Sequence, residues 1–375
     1  MTKIRAVRAI SCVMALVLAV LTLTGCGDKI KPVESTEDER TTVMTLTLGD
    51  REYDITYELY RAFFLSHKSE IDGGDDSVWR GDEKDKYVKK INEIILSRLC
   101  DIYAVFSIAE DAGIDVYSKE YDEQVEKFVE AGVDGGIVDS VIYEGFGGDY
   151  EKYLSSLRDM YLNYSVSDLL FRYSLAVDDV YYYYEGNVSN DAVEGKLEYT
   201  RDDVRDFYYG SSSRRVMRLF LSTLTASFTE ERAREIRDRI ANATNENEAL
   251  AIMINYSTLG ASELSDGIMI GEYNLDSLYY SALTDAALSL DLHETSEPVR
   301  IVTGQNDGFF ILFCMEKNDA HFDKCYDDIA ATYVENEIGR ILSERADALK
   351  AGAVNAPILD ELSHADIKMD GIIAK

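Results

Sequence analysis

The sequence predicts an α+β protein: a mostly helical N-terminal region, a compact unit of mixed strands and helices, and a C-terminal helix. Three observations carry this. Apolar residues recur at helical spacing through "YVKKINEIILSRLCDIYAVFSIAEDAG", "RRVMRLFLS" reads as a strand followed by capped helical stretches, and "SEPVRIVTGQNDGFFILF" (Ser296–Phe313) reads as a hairpin. The hairpin has Pro298 at its start and a turn between Gly304 and Gly308.

Taken in order, "VMTLTLGDREYDITYELYRAFF" gives a short strand pair and the start of a helix. The acidic stretch "IDGGDDSVWRGDEKD" reads as a solvated loop; a calcium loop starting at Asp72 fails because Gly74 and Ser77 break the required ligand and glycine positions. Tyr87, Ile91, Ile94/Ile95, Ile102, Phe106 and Ala109 then line one helix face, and Gly113 is placed to end it. Ser118 caps a second helix with Tyr121, Val125 and Val129 on one face, and Asp149 a third with Tyr153, Leu157, Met160/Tyr161 and Tyr164. An internal echo, "DDVYYYYEGN" from Asp178 and "DDVRDFYYGS" from Asp202, reads as two short capped helices, with Thr200 capping the second. After the strand at Arg214, Thr229 caps "EERAREIRDRI", "NEALAIMINYS" and "SALTDAALSL" give two more helices, and the hairpin closes the unit.

Composition narrows the function. At 375 residues, 46% hydrophobic and 11% aromatic, the chain is long enough for about two domains and buries a sizeable core. A formal charge of −32, from 70 acidic and 38 basic side chains, argues against a nucleic-acid partner, which needs concentrated Lys and Arg. Cys100, Cys314 and Cys325 show no CxxC spacing and no His/Cys cluster, so neither a metal site nor a cofactor is expected.

The N-terminus is more specific. Lys3, Arg5 and Arg8 precede an apolar run from Ala9 to Leu23, the pattern of an export signal. It closes on Leu23-Thr24-Gly25-Cys26, which resembles the lipobox of bacterial lipoproteins. The resemblance implies a signal peptide over 1–25, lipidation of Cys26 and a tether over 26–43, with the protein anchored on the outer face of the cytoplasmic membrane; two acyl chains suffice for stable anchoring. Cleavage there would remove three of the 38 basic residues and none of the 70 acidic ones, for a net charge of −35.

Residues 211–318 resemble the parvulin-type (PpiC-type) peptidyl-prolyl isomerase domain through "RRVMRLFL", "ALAIMINYS", "IMIGEY", "LTDAALSL", "SEPVRIVTG" and "GFFILF", in the family's order. The flanks resemble the helical domain of PrsA/SurA-type foldases, in which the segments around the parvulin unit pack together. That implies a helical domain over 44–210, completed by the C-terminal helix of 319–375, with Phe322, Ile329, Tyr333, Ile338, Ile341/Leu342 and Leu349 as its stripe.

The chain departs from the parvulin pattern where chemistry is expected. The family's two histidines fall on Arg218 and Phe310, and its cysteine or aspartate falls on Leu259; none of His67, His293, His321 and His364 takes those slots. Tyr273, Tyr279 and Leu283, with Phe310, stand where the proline-binding wall would be. The resemblance therefore implies a chaperone for unfolded or proline-containing exported polypeptides, with a weak or inactive isomerase unit. An active isomerase with an atypical site and a non-chaperone envelope or solute-binding lipoprotein are the alternatives.

Overall fold

The computed structural model describes residues 42–73, 76–79, 82–134, 164–187, 193–223, 228–257, 260–273, 277–303 and 306–352. Cys26, Leu259 and the helix expected from Asp149, apart from Tyr164 at the end of its stripe, lie outside them. The elements run β1 (Thr42–Leu48), β2 (Arg51–Thr56), α1 (Tyr57–Asp72), a 3-10 turn (Asp76–Trp79), α2 (Lys84–Asp111), α3 (Lys119–Asp134) and α4 (Tyr164–Glu185). They continue with β3 (Gly186–Asn187), β4 (Val193–Glu194), α5 (Arg201–Tyr209), β5 (Ser213–Ser222), α6 (Glu230–Ala241), α7 (Glu246–Met253), α8 (Ala261–Asp266) and β6 (Ile268–Gly271). The last are α9 (Ser277–Leu288), β7 (Val299–Thr303), β8 (Asn306–Cys314), α10 (Asp319–Lys324), α11 (Tyr326–Ala348) and β9 (Lys350–Ala351). The fold is mostly helical α+β. Its described residues fall into two compact units, one up to Tyr181 and again from Leu342, the other Tyr182–Ile341.

In the first unit β1 and β2 pair antiparallel across a turn in which Gly49 takes φ 61°, a left-handed value glycine adopts without penalty. β9 adds to the free side of β1, giving the order β2-β1-β9. Of the stripe expected on α2, Ile91, Ile95, Ile102, Phe106 and Ala109 are buried, joined by Leu99, while Tyr87 and Ile94 are half-buried; Gly113 ends the helix at φ 78°. Ser118 Oγ accepts the Tyr121 N–H at 3.2 Å, the expected cap of α3. Arg172 of α4 is buried and donates to Val116 O at 2.7 Å, Asp122 at 2.6 Å and Asp168 at 2.6 Å, fixing α4 to the start of α3.

Two expectations change here. The stretch after Asp72 is not merely solvated: Trp79 is buried against Phe64, and its indole N–H donates to Asp72 at 2.7 Å. Lys68 pairs with the same carboxylate at 2.6 Å, so Asp72 serves a buried network. Asp178 does not begin a short helix but sits within α4, whose Leu169, Leu170, Phe171, Ala176 and Val180 are buried along its length. Burial outweighs the local capping signal of the Asp-Asp pair.

In the second unit Thr200 caps α5 through a capping box with Asp203. Val204 and Tyr208 of α5 pack on Phe322 and Ile329, while Arg201 pairs with Asp323 at 2.6 Å and Tyr209 bonds to Asp319 at 2.7 Å. From Leu342 the C-terminal helix belongs to the first unit, where Arg345 pairs with Asp111 at 2.8 Å.

The four-stranded antiparallel sheet has the order β6-β5-β8-β7. One face (Met217, Leu219, Leu221, Phe309, Ile311, Phe313) is closed by Ala233, Ile236 and Ile240 of α6, Ala249 and Met253 of α7 and Leu264 of α8. On the other, Val216, Ile270, Leu312 and Cys314 pack against Leu283, Ala287 and Leu290 around α9. The chain after β6 is clamped by α11: Asn336 Oδ1 accepts the Tyr273 N–H at 3.0 Å, and a Cβ on Gly339 would fall 1.5 Å from the Tyr273 carbonyl oxygen.

Gly339→Ala therefore sets a helix-propensity gain of about 1 kcal/mol against a backbone overlap that no rotamer relieves. We expect a net loss of about 2 kcal/mol in urea unfolding; an unchanged midpoint would refute the clamp. A second prediction concerns Asp178, whose carboxyl is pushed up to about 6 by burial and by the adjacent Asp179. A raised acid binds its proton more tightly in the folded chain, so stability is full at low pH and falls as pH rises through about 4 to 6. Asp178→Asn is expected to stabilise by about 2 kcal/mol at pH 7.5 and by nothing below pH 4; a pH-independent difference would show that the charge is not the cause.

Candidate functional site

Side chains alternate along β5 and β8, so Val216, Arg218 and Phe220 share a face with Cys314, Leu312 and Phe310. The register sets Arg218 opposite Leu312 and Phe220 opposite Phe310. Val216, Leu312 and Cys314 are buried on this face, whereas Arg218, Phe220 and Phe310 are only half-buried. The result is an aromatic surface with the Arg218 guanidinium beside it.

Its geometry is specific. The Phe220 and Phe310 rings lie 4.7 Å apart, and the Arg218 guanidinium carbon sits 5.5 Å from the centre of the Phe310 ring. That spacing is a cation–π contact. Gly308, opposite Ser222, lets the Phe220 ring approach: a Cβ there would fall 2.7 Å from Phe220 Cε2. The arrangement is a tilted aromatic pair with a guanidinium held against one of its rings. Such a surface is chemically suited to apolar or aromatic segments, and a guanidinium keeps its charge at any physiological pH.

Of the residues singled out from the sequence, Arg218, Phe310 and Leu283 come together on this side of the sheet, with Leu283 in the cluster beneath α9. Tyr273 lies beyond β6, with its backbone N–H held by Asn336. Tyr279 is carried by α9. Phe220 was not singled out, although it stands two residues from Arg218 on the same strand and so on the same face.

The described histidines stand elsewhere. His321 is buried with Nδ1 3.0 Å from the Tyr208 hydroxyl, and burial with the nearby Arg215 charge pulls its pKa down to about 4. His293 stacks on Phe313 at 5.9 Å in a loop where it adopts φ 64°. Cys100, Cys314 and Cys325 are free thiols, and burial raises the pKa of each. Among the described residues no group of three or more His, Cys, Asp and Glu is placed to hold a metal ion, and no helix is long and apolar enough to cross a membrane.

No protein-family model and no curated protein matches the chain. Solved structures do. The chain is similar to PrsA foldase structures over most of its length. One is foldase protein PrsA from Streptococcus pneumoniae str. Canada MDR_19A, at 14% identity over 90% of this chain and 94% of that chain, with a TM-score of 0.25. Another is PrsA from Bacillus subtilis, at 14% identity over 76% of this chain and 88% of that chain, with a TM-score of 0.22.

The stacked trio can be tested directly. In a double-mutant cycle of Arg218→Ala and Phe310→Ala, read by urea unfolding, we expect a coupling of about 0.5–1 kcal/mol. Strict additivity would mean that the guanidinium and the ring do not meet in solution.

Proposed function

We propose that this protein is a membrane-anchored extracytoplasmic chaperone that holds unfolded exported polypeptides, and that its sheet unit is weak or inactive as a prolyl isomerase. The observation that carries this is the stack of Arg218 on Phe310 beside Phe220. The unit runs strand, three helices, strand, helix and two-stranded hairpin, the order in which the parvulin-like segments were recognised. Where that resemblance implies histidines, the face carries the guanidinium and the ring.

The physics favours binding over catalysis. Isomerisation must lower a barrier of about 18–20 kcal/mol without forming a covalent bond. An enzyme does so only by favouring the twisted amide over the planar one, chiefly with polar groups aimed at it. An aromatic face attracts both forms of an X–Pro segment alike, which gives affinity without acceleration. Arg218 is the polar group beside Phe310 that would give an active, atypical isomerase a physical basis. The lipid anchor at Cys26 and a place on the outer face of the bacterial cytoplasmic membrane belong to the same proposal.

The test measures proline-limited refolding and cis–trans relaxation of a proline peptide with the full chain, beside the triple variant Arg218→His, Leu259→Asp, Phe310→His. We expect the wild type to leave spontaneous rates of tens to hundreds of seconds unchanged while suppressing aggregation of an unfolded client. Acceleration by the wild type that disappears in Arg218→Ala would overturn the inactive-site reading in favour of an active isomerase.

A further inference from the structure

The first unit holds a groove of about 390 Å³ that the sheet face above does not involve. That volume lies in the range of specific ligand sites. Its floor is apolar: Met44 of β1 and Tyr60 of α1 are buried, and Val88 and Leu96 of α2 line the space beside them. α2 presents residues to it every three to four positions, so one helix face supplies the wall. Ala351 and Gly352 close the opposite side, where β9 pairs with β1.

The polar groups around this floor are few and each has a definite chemistry. The Tyr60 hydroxyl donates to Asn92 Oδ1, which engages the amide oxygen and leaves its N–H₂ group as a donor at the groove. Lys89 and Glu93 pair with each other at 3.8 Å on the rim. Asp85, also lining the groove, has no cationic partner among the described residues, so the uncompensated charge at the rim is negative. An apolar floor, an amide donor and a lone carboxylate together fit a short stretch of extended polypeptide. An apolar side chain would fill the floor, a main-chain carbonyl would accept from Asn92, and an adjacent Lys or Arg would face Asp85.

We propose that this groove binds apolar segments of unfolded polypeptide flanked by basic residues. The proposal rests on the chaperone reading and adds to it a second binding site with its own sequence preference. The chain's net charge of −32 would draw basic peptides anywhere, so the test must separate the groove from the long-range field.

Fluorescence anisotropy with the full chain would compare two labelled peptides, one Leu flanked by Lys and its twin flanked by Glu. Wild type is set beside Asp85→Lys, Leu96→Gln and Glu120→Lys, the last making the same charge change at an exposed position on α3 outside the groove lining. We expect Asp85→Lys to cut the preference for the Lys-flanked peptide about three- to fivefold, in line with one partly exposed ion pair, and Glu120→Lys by less than twofold. Leu96→Gln should weaken both peptides. Equal effects of the two charge reversals, or binding indifferent to Leu96→Gln, would overturn the groove proposal. So would self-association of the chain that Leu96→Gln abolishes, because the occupant would then be a second copy. Suppression of client aggregation is read separately: its absence in the wild type sinks the chaperone reading, while its presence without peptide binding sinks only the groove.

Discussion

Arg215 is only 5% exposed, and its guanidinium is spent on three main-chain carbonyls: Asp266 at 2.9 Å, Ser265 at 3.0 Å and Glu316 at 2.7 Å. A cation taken out of water costs several kcal/mol unless its donors are used, and charge-assisted bonds to carbonyls use them. Two of the three carbonyls belong to the last turn of α8, which has no intrahelical donors of its own. The third lies just past β8. One buried side chain on β5 thus fixes where β6 enters and where β8 leaves, on either side of its own strand. The carbonyl of Arg215 itself accepts the Met315 N–H at 2.8 Å, extending the pairing beyond β8. With that end of the sheet held, the alternation of β5 delivers Arg218 and Phe220 to their face without further choice.

The same use of scarce cations recurs in the other unit. Arg172 is buried between two carboxylates and a carbonyl, and Arg51 and Arg345 converge on Asp111. In a chain with nearly twice as many acidic as basic side chains, the arginines that are buried act as ties between elements. The surface acids are left to keep the chain in solution. Against that background an acid at the rim of an apolar groove, with no cationic partner among the described residues, stands out from the structural uses of charge.

Much of the architecture was legible because its signals are local. The caps at Ser118, Thr200 and Thr229, the turn at Gly49, the stripe of α2 and the hairpin from Ser296 each depend on residues a few positions apart. What was not legible depends on distance along the chain. The length of α4 is set by what buries Leu169 to Val180. β9 is two residues long and carries no pattern of its own; it exists because β1 offers it an edge. The surroundings of Tyr273 are decided by Asn336 and Gly339, more than sixty positions later. The face bearing Arg218 and Phe310 could be read from alternation and a family pattern, whereas the groove beside Tyr60 joins β1, α1, α2 and the residues around β9, which no single stretch announces.

An arginine and a phenylalanine, where the parvulin resemblance implies a titratable pair, would change what the proposed binding face can do in a definite way. A neutral histidine both donates and accepts and exchanges its proton near neutral pH, so it follows a carbonyl as its charge shifts. A guanidinium only donates, never loses its charge, and here rests on the ring it would have to leave to reach a substrate. Moving it costs the stacking energy of about 0.5–1 kcal/mol before any stabilisation of a twisted amide begins. The Phe310 ring, paired with Phe220, gains nothing from the twist at all. Under the proposed function, Arg218 and Phe310 would therefore favour holding a segment over rotating it. A protein built to keep chains unfolded but apart from one another needs only the first of these.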